Sequence, residues 1–237
     1  MIIKKIKNLM IIVLIIICVF TNISSAKKLP LTGKIITIDP GHGGRDPGTI
    51  YNDIKEKDIN LSISLKLEKE LLNQGATVYM IRRSDIDLSS IYDSKKKRGD
   101  LYRRILLIKE NKSDLYLSIH INWYKNSYYK GAEVLYNSIN SNNKLLAESI
   151  MSKFKTELNS NRNISKTDLY MYKNITTPGV LIECGYLSNY NERNLLILDD
   201  YQEKISKSIT AGIINYYENT KETWLFKLLF CIIRLVK

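Results

Sequence analysis

Apolar residues along the chain follow two alternating patterns. Short apolar runs bounded by turn residues predict buried strands at residues 35–38, 78–81, 115–119, 133–136, 169–172 and 180–182. Apolar positions at helical spacing predict helices at residues 57–73, 92–111, 143–158 and 201–217. Strands that alternate with helices predict a single α/β domain, with a mostly parallel central sheet of about six strands and helices on both faces.

The N-terminal segment lies outside this pattern. Three lysines precede an apolar run at residues 9–20, and small residues follow up to Ala26. This order predicts a signal peptide at residues 1–26 and therefore export across the cytoplasmic membrane. An uncleaved membrane anchor is the alternative, although the run is shorter than the roughly 20 residues of a spanning helix.

The C-terminal segment, residues 219–237, is apolar with interspersed basic residues, and residues 34–218 form the predicted folded domain. Its apolar stretch, residues 224–237, is too short and too interrupted to span a bilayer. A terminal helix packed on the domain, an interfacial membrane helix, and a contact with a second subunit or another protein all fit it.

The net charge of the chain limits the classes of binding partner that we expect. The chain has 237 residues and a net charge of +12, a balance that suits nucleic acid, an anionic membrane or an anionic cell-wall polymer. No nucleic-acid motif accompanies the charge, so no nucleic-acid partner is predicted. The basic run at residues 95–98 predicts a solvated loop or helix start, with a contact to the wall as the alternative. Cys184 is not part of a cysteine motif with the spacing of a metal or redox site. We interpret it as a packing residue rather than a nucleophile.

The two histidines of the chain occur in similar places. His42 and His120 each follow or end a short apolar run, and the ends of strands are where α/β proteins bind ligands. Imidazole is the commonest metal ligand, so we prefer a shared metal site over two core or turn residues. Catalytic zinc takes two histidines and one glutamate in some enzymes. Glu56 is the third candidate, and an interaction of its carboxylate with the dipole of the predicted helix is the alternative.

Glu183 follows the apolar run at residues 180–182. Glutamate is rarely buried without a partner, so packing explains this position poorly. A metal hydrolase needs a general base that takes a proton from water and returns it to the leaving group. Glu183 has this chemistry, and a solvated strand end is the alternative.

Four motifs together resemble a known family. They are Ile-Asp-Pro-Gly-His-Gly-Gly at residues 38–44, Glu56, Ser-Ile-His-Ile-Asn at residues 118–122, and Leu-Ile-Glu-Cys-Gly-Tyr-Leu-Ser-Asn at residues 181–189. Over residues 34–215 the chain resembles the zinc N-acetylmuramoyl-L-alanine amidases of the amidase-3 family. Its short format with an export segment is similar to the CwlD-type, germination-specific branch of spore-forming bacteria.

The resemblance implies a role for each residue. His42, Glu56 and His120 would bind zinc, and Glu183 would be the catalytic acid and base. The reaction would be hydrolysis of the amide between N-acetylmuramic acid and the L-alanine of the peptidoglycan stem peptide, by an amidase catalytic domain at residues 34–218. In the germination-specific branch this step prepares the spore cortex for muramic-δ-lactam formation, in the cell wall or spore envelope.

Alternatives remain open after the resemblance. The chain could be a vegetative cell-wall amidase, another zinc peptidase, or a wall-binding module without activity. Arg45 or Arg193 could pair with a carboxylate of the peptide. Membrane association through either end, an accessory protein partner and a homodimer are all compatible with the sequence.

Overall fold

The central sheet has six strands in the structure, a computed structural model that describes residues 28–235, with side chains described up to residue 220. In chain order the strands are β1 (Ile35–Pro40), β2 (Ile50–Tyr51), β3 (Ile54–Lys55), β4 (Thr77–Met80), β5 (Leu115–Asn122), β6 (Glu133–Tyr136), β7 (Ser165–Lys166) and β8 (Gly179–Tyr186). The sheet order is β4-β1-β5-β8-β6-β7, and β2 and β3 form a separate hairpin. Every neighbouring pair in the sheet is parallel except β6 and β8, which confirms the mostly parallel sheet.

Helices cover both faces of this sheet, as predicted. In chain order they are α1 (Glu56–Asn73), α2 (Lys96–Glu110), α3 (Asn142–Glu157), α4 (Tyr190–Leu196) and α5 (Asp199–Leu235). α1, α3 and α5 bury the larger hydrophobic core, whereas α2 buries a smaller core on the opposite face. None of the helices, over the residues described, is long and apolar enough to cross a membrane.

Strand alternation decides which face carries the polar residues. The odd-numbered residues of β5 belong to the larger core, whereas Tyr116 belongs to the smaller core beneath α2. Because successive side chains point to opposite faces, His120 lies on the α2 face with Tyr116. In β8, Leu181 also belongs to the smaller core, so Glu183 lies on that face too. His120 and Glu183 therefore lie on the same face of the sheet, the one covered by α2.

The strand predicted at residues 169–172 is wrong. The sixth strand of the sheet is β7, and residues 169–172 run as a loop into a short 3₁₀ helix, Tyr172–Asn174. Met171 and Tyr172 are buried against the smaller core, so the segment caps the sheet face instead of joining its edge. Side chains also satisfy its carbonyls, since the Asn174 amide donates to the Tyr170 carbonyl at 2.6 Å and the Asn137 amide donates to Tyr172. An apolar run alone does not distinguish such a cap from a strand.

Several boundaries also differ from the prediction. β5 and β8 extend three and four residues beyond their predicted ends. α2 begins at Lys96 rather than at residue 92, because the Asp93 carboxylate accepts a hydrogen bond from the Ser90 amide and closes a turn there. The sequence prediction missed α4, whose first turn is capped by the Asn189 side chain. The predicted segment at residues 1–26 lies outside the described residues, as do the side chains of most of the tail at residues 219–237.

Candidate metal and catalytic site

His42 lies in the turn that follows β1, where the backbone is unusual. Its φ of 60° is in the left-handed region, which non-glycine residues rarely occupy. This conformation directs Nε2 to within 3.1 Å of the Glu56 Oε1 atom, while Nδ1 lies 3.0 Å from an Asp46 carboxylate oxygen. Burial opposes protonation, but the hydrogen bonds to Asp46 and Glu56 outweigh it and raise the pKa of His42 to about 9. Asp46 therefore orients the ring and leaves Nε2 facing the centre of the site.

Glu56 is the first residue of α1 and is buried. Its Oε1 atom lies 3.1 Å from His42 Nε2 and 3.0 Å from His120 Nδ1, and its Oε2 atom accepts a hydrogen bond from the Thr49 amide at 2.9 Å. Burial alone would raise its pKa, but the hydrogen bonds from the two histidines hold the pKa well below its usual range. A helix-dipole interaction would not require this carboxylate to lie between two imidazoles.

His120 belongs to β5 and completes a group that could hold a metal ion. One ligand atom each from His42, Glu56 and His120 lies within 4.8 Å of the other two. The His120 ring occupies the space where a side chain at Gly41 would begin, so any Cβ at that position would overlap it. The glycine before His42 is therefore required by the close approach of the second histidine.

Glu183 lies inside β8, not after the end of a strand as the sequence indicated. The strand register pairs it with His120 on β5 and with Glu133 on β6, so three ionisable residues lie in one row across the sheet. Its Oε2 atom is inaccessible and has no hydrogen-bond partner among the described residues. Burial, with the nearby Glu56 and Glu133 carboxylates, raises the pKa of Glu183 to about 8. Glu183 therefore lines the cleft with a carboxylate that could accept a proton and that has one oxygen atom shielded from water.

A cleft of about 610 Å³ opens above these residues. We call the part of its lining formed by His42, Glu56, His120 and Glu183 the metal-site wall. We call a second part of the lining the opposite wall; it is formed by Lys97 and Leu101 from α2, Trp123 and the cap segment Leu169, Tyr170, Met171 and Tyr172. The lining of the cleft therefore combines an ionisable cluster with a group of mostly aromatic and apolar side chains.

Arg104 is a buried residue of the site that the sequence analysis missed. Its guanidinium donates to an Asp39 carboxylate oxygen at 2.6 Å, to the Pro40 carbonyl at 2.8 Å and to the His42 carbonyl at 2.6 Å. Its Nε donates to Asp100 at 2.8 Å. Arg104 therefore fixes the turn that carries His42. The sequence does hold a signal for it, because an arginine there lies on the inward apolar face of a helix.

Arg82, two residues after β4, also contacts this turn. Its guanidinium donates to the carbonyls of Pro40 at 2.9 Å, Gly41 at 2.9 Å and Lys57 at 2.8 Å. Burial and the neighbouring Arg104 lower the pKa of Arg82 to about 10. The two arginines together bind the carbonyls of three consecutive residues, 40–42, which explains how a strained turn persists in one conformation.

Three other residues considered from the sequence lie outside the site, and two of them have partners within the protein. Cys184 is buried on the far face of the sheet, and burial raises the pKa of its thiol. Arg45 pairs with Asp87 at 3.0 Å. Arg193 donates to the Leu187 carbonyl, and its guanidinium lies 3.6 Å from the centre of the Tyr51 ring. Both arginines therefore already have partners within the protein, Arg45 at the surface and Arg193 in a buried position.

This fold and site agree with the comparisons to known proteins. Residues 36–215 match the Amidase_3 family, described as N-acetylmuramoyl-L-alanine amidase. The chain belongs to this family and is an N-acetylmuramoyl-L-alanine amidase.

Two relatives in Bacillus subtilis are similar in sequence. The germination-specific N-acetylmuramoyl-L-alanine amidase is 38% identical over 205 residues, which covers 84% of this chain and 86% of that relative. The amidase LytC is 31% identical over 202 residues, which covers 84% of this chain but 38% of LytC.

Solved structures give the same result. The CwlD amidase from Clostridioides difficile, in complex with the GerS lipoprotein, matches with a TM-score of 0.75 and 36% identity over 78% of this chain and 98% of that one. The catalytic domain of the amidase CwlV from Bacillus (Paenibacillus) polymyxa var. colistinus matches with a TM-score of 0.69 and 29% identity, at the same coverage.

Proposed function

We propose that this amidase depends on zinc, which His42, Glu56 and His120 hold, and that Glu183 is its acid and base. The observation that carries the proposal is the convergence of three potential ligand atoms within 4.8 Å, beside a carboxylate oxygen with no partner among the described residues. The bond cleaved is the amide between N-acetylmuramic acid and the L-alanine of the stem peptide.

The donor set suits zinc. Two imidazole nitrogens and one carboxylate oxygen are a known ligand set of catalytic zinc, which leaves one further position open. The hydrogen bond between His42 Nδ1 and Asp46 is the outer contact that metal-bound histidines usually make, since it fixes the tautomer and the ring orientation. Zinc, when bound, would polarise the scissile carbonyl and activate water.

The chain's own residues would move the proton. Glu183 would take a proton from the attacking water and then donate it to the departing nitrogen of L-alanine. Its raised pKa, about 8, suits a group that must first accept and then return a proton near neutral pH. Glu56 differs because its carboxylate is bound by two histidines and a backbone amide, which fits a ligand and not a proton carrier.

For the biological role we propose spore cortex modification that leads to muramic-δ-lactam and is needed for germination. The support is the similarity to a germination-specific amidase along almost its full length. A vegetative role in the cell wall is the second candidate, because LytC is also similar to this chain. Export through residues 1–26, by a signal peptide or an anchor, would bring the enzyme to its substrate in either case.

We also propose an accessory protein partner. The support is that the similar CwlD amidase was solved in complex with the GerS lipoprotein. Co-purification of the exported protein from its native host, followed by identification of bound proteins, tests this proposal.

The reaction is tested with purified protein, added zinc and intact peptidoglycan. Mass spectrometry should detect whole stem peptides with a free L-alanine amino group, together with glycan that has lost them. Release of single amino acids or short peptide fragments would indicate a different zinc peptidase. Binding to the wall without any released peptide would indicate a module without activity.

A further inference from the structure

A second cavity lies beside the cleft and has a distinct charge. Its volume is about 440 Å³, and its lining residues are Lys95, Lys97, Arg98, Leu101 and Tyr170. Three of these five are basic and none is acidic. The cavity shares Lys97, Leu101 and Tyr170 with the cleft, so the two spaces adjoin along this edge. We call this space the basic cavity.

The positive charge of the basic cavity is largely unneutralised. Neither Lys95 nor Arg98 forms an ion pair within the part of the chain that is described. The nearest carboxylates of α2 and its preceding turn are engaged elsewhere, since Asp93 pairs with Arg103 at 2.5 Å and Asp100 with Arg104 at 2.8 Å.

Lys97 has one acidic neighbour, the Asp46 carboxylate, at 3.5 Å. That carboxylate also contacts His42 at 3.0 Å, and the Lys97 side chain is 72% exposed. An exposed pair at this distance contributes little and leaves the ammonium free to meet a ligand.

Arg98 is directed by an aromatic ring. Its guanidinium carbon lies 5.5 Å from the centre of the Tyr170 ring, within the range of a cation–π contact. Tyr170 belongs to the cap segment, and the Asn174 amide holds its carbonyl at 2.6 Å. A guanidinium fixed over a ring keeps its planar set of donors available for a carboxylate.

We infer that the basic cavity binds a carboxylate of the stem peptide while the scissile amide lies at Glu183. This inference rests on the proposed function. In the substrate, the lactyl carboxyl group of N-acetylmuramic acid is consumed by the amide bond, and the remaining sugar groups of the glycan are neutral. The carboxylates of the substrate therefore belong to its peptide, and an unneutralised basic cavity next to the cleft fits that part and not the glycan.

The test uses two forms of one substrate, a muropeptide with free peptide carboxylates and the same muropeptide with those carboxylates amidated. Wild-type protein should cleave the free form with the lower KM. Arg98→Gln should raise KM for the free form by roughly tenfold, the worth of one charge-assisted hydrogen bond. It should leave kcat unchanged and remove the preference between the two forms. Lys204→Gln, an exposed lysine on the opposite side of the sheet, is the matched control and should keep the preference.

Binding separates this inference from the proposed function. Calorimetry at low salt with the free stem peptide and its amidated form should show the same preference in wild-type protein and its loss in Arg98→Gln. If the preference exists but no stem peptide is released from muropeptides, the proposed reaction fails and the cavity assignment stands. The assignment is overturned if Arg98→Gln keeps the preference, if both forms lose affinity equally, or if inorganic phosphate binds at the cavity and the peptide does not. The last result would favour an anionic wall polymer.

Discussion

The two walls of the cleft differ in how their residues are held. On the metal-site wall, His42 comes from the turn after β1, Glu56 from the start of α1 and His120 from the interior of β5, and each contacts at least one other of the three. On the opposite wall, Met171 and Tyr172 are buried, but Leu169 and Trp123 are about half exposed, and the backbone there is mostly loop.

This difference indicates that the metal-site wall must be more rigid than the opposite wall. Proton transfer and metal binding require groups held within fractions of an ångström, which buried arginines and a sheet provide. Recognition of a polymer tolerates adaptable side chains, which loops provide. We therefore expect substitutions on the metal-site wall to change metal content, stability or kcat, and substitutions on the opposite wall to change KM.

The largest effect is expected for His120→Ala. Removing this ligand should abolish stoichiometric zinc and reduce stem-peptide release to background, because the loss should exceed the roughly 10–100-fold that an outer partner contributes to metal affinity. Elemental analysis of purified protein measures the zinc. Cys184→Ala, a buried neighbour of Glu183 on the far face of the sheet, is the control and should keep both zinc and activity. Full zinc in His120→Ala would exclude the proposed site.

Asp39→Asn tests the buried ion pair between Asp39 and Arg104, the arginine that also binds the His42 carbonyl. Burial opposes ionisation, but the Arg104 guanidinium, the hydrogen bond from Ser118 and the nearby His120 together outweigh it and hold the pKa of Asp39 below its usual range. Removing this charge should lower the free energy of unfolding by about 3 kcal/mol at pH 7, the lower end for a broken buried pair, because Asp100 still contacts Arg104.

The pH dependence of this effect has a definite sign. A carboxyl whose folded pKa is lowered contributes stability above its unfolded pKa, about 3.9, and loses it as the pH falls through the folded value. The difference between wild type and Asp39→Asn should therefore be largest at neutral pH and should shrink below about pH 4. Urea unfolding at pH 7 and pH 3 measures it. A difference that is independent of pH would show that the charge of Asp39 is not responsible.

Asp46→Ala should have a smaller effect on the metal. The ligand His42 remains but loses the carboxylate that orients its ring, so zinc affinity should fall roughly 10–100-fold. Competition with a chelator of known affinity measures the change, and the fold should be kept because the Asp46 side chain is only partly buried. Unchanged affinity would show that the turn alone orients His42.

The smallest effect is expected on the opposite wall. Trp123→Ala should raise KM by roughly two- to tenfold through lost apolar contact, with zinc content and kcat unchanged. Steady-state kinetics on soluble muropeptides separate the two parameters. A fall in kcat without a change in KM would remove the distinction between the two walls.

The sequence predicted the metal-site wall because its residues follow simple local rules. His42 and His120 stand out as polar residues at buried runs, and Glu56 starts an amphipathic helix. Glu183 was predicted at the end of a strand, and the structure places it within one, since the strand continues past it to Tyr186. The alternation that places His120 and Glu183 on one face follows from the strands alone.

The features that the sequence did not predict depend on contacts between distant parts of the chain. Arg104 contacts the turn at residues 40–42 across more than 60 positions, which no local pattern shows. The cap segment at residues 169–172 has the composition of a strand, and only its packing on Tyr116 and the bonds from Asn137 and Asn174 determine its conformation. The opposite wall was therefore the part that the sequence predicted least well.

Glu183→Gln tests the central claim most directly, because it separates chemistry from metal binding. Glutamine has nearly the same shape but cannot accept a proton from water. Zinc content and stem-peptide release are measured on the same preparation, beside wild-type protein. We expect one zinc per chain in both proteins and a rate lowered by roughly 10²–10⁴-fold in the variant, the usual contribution of a general acid and base. Near wild-type release would contradict Glu183 as the base, and loss of zinc would make it a ligand instead.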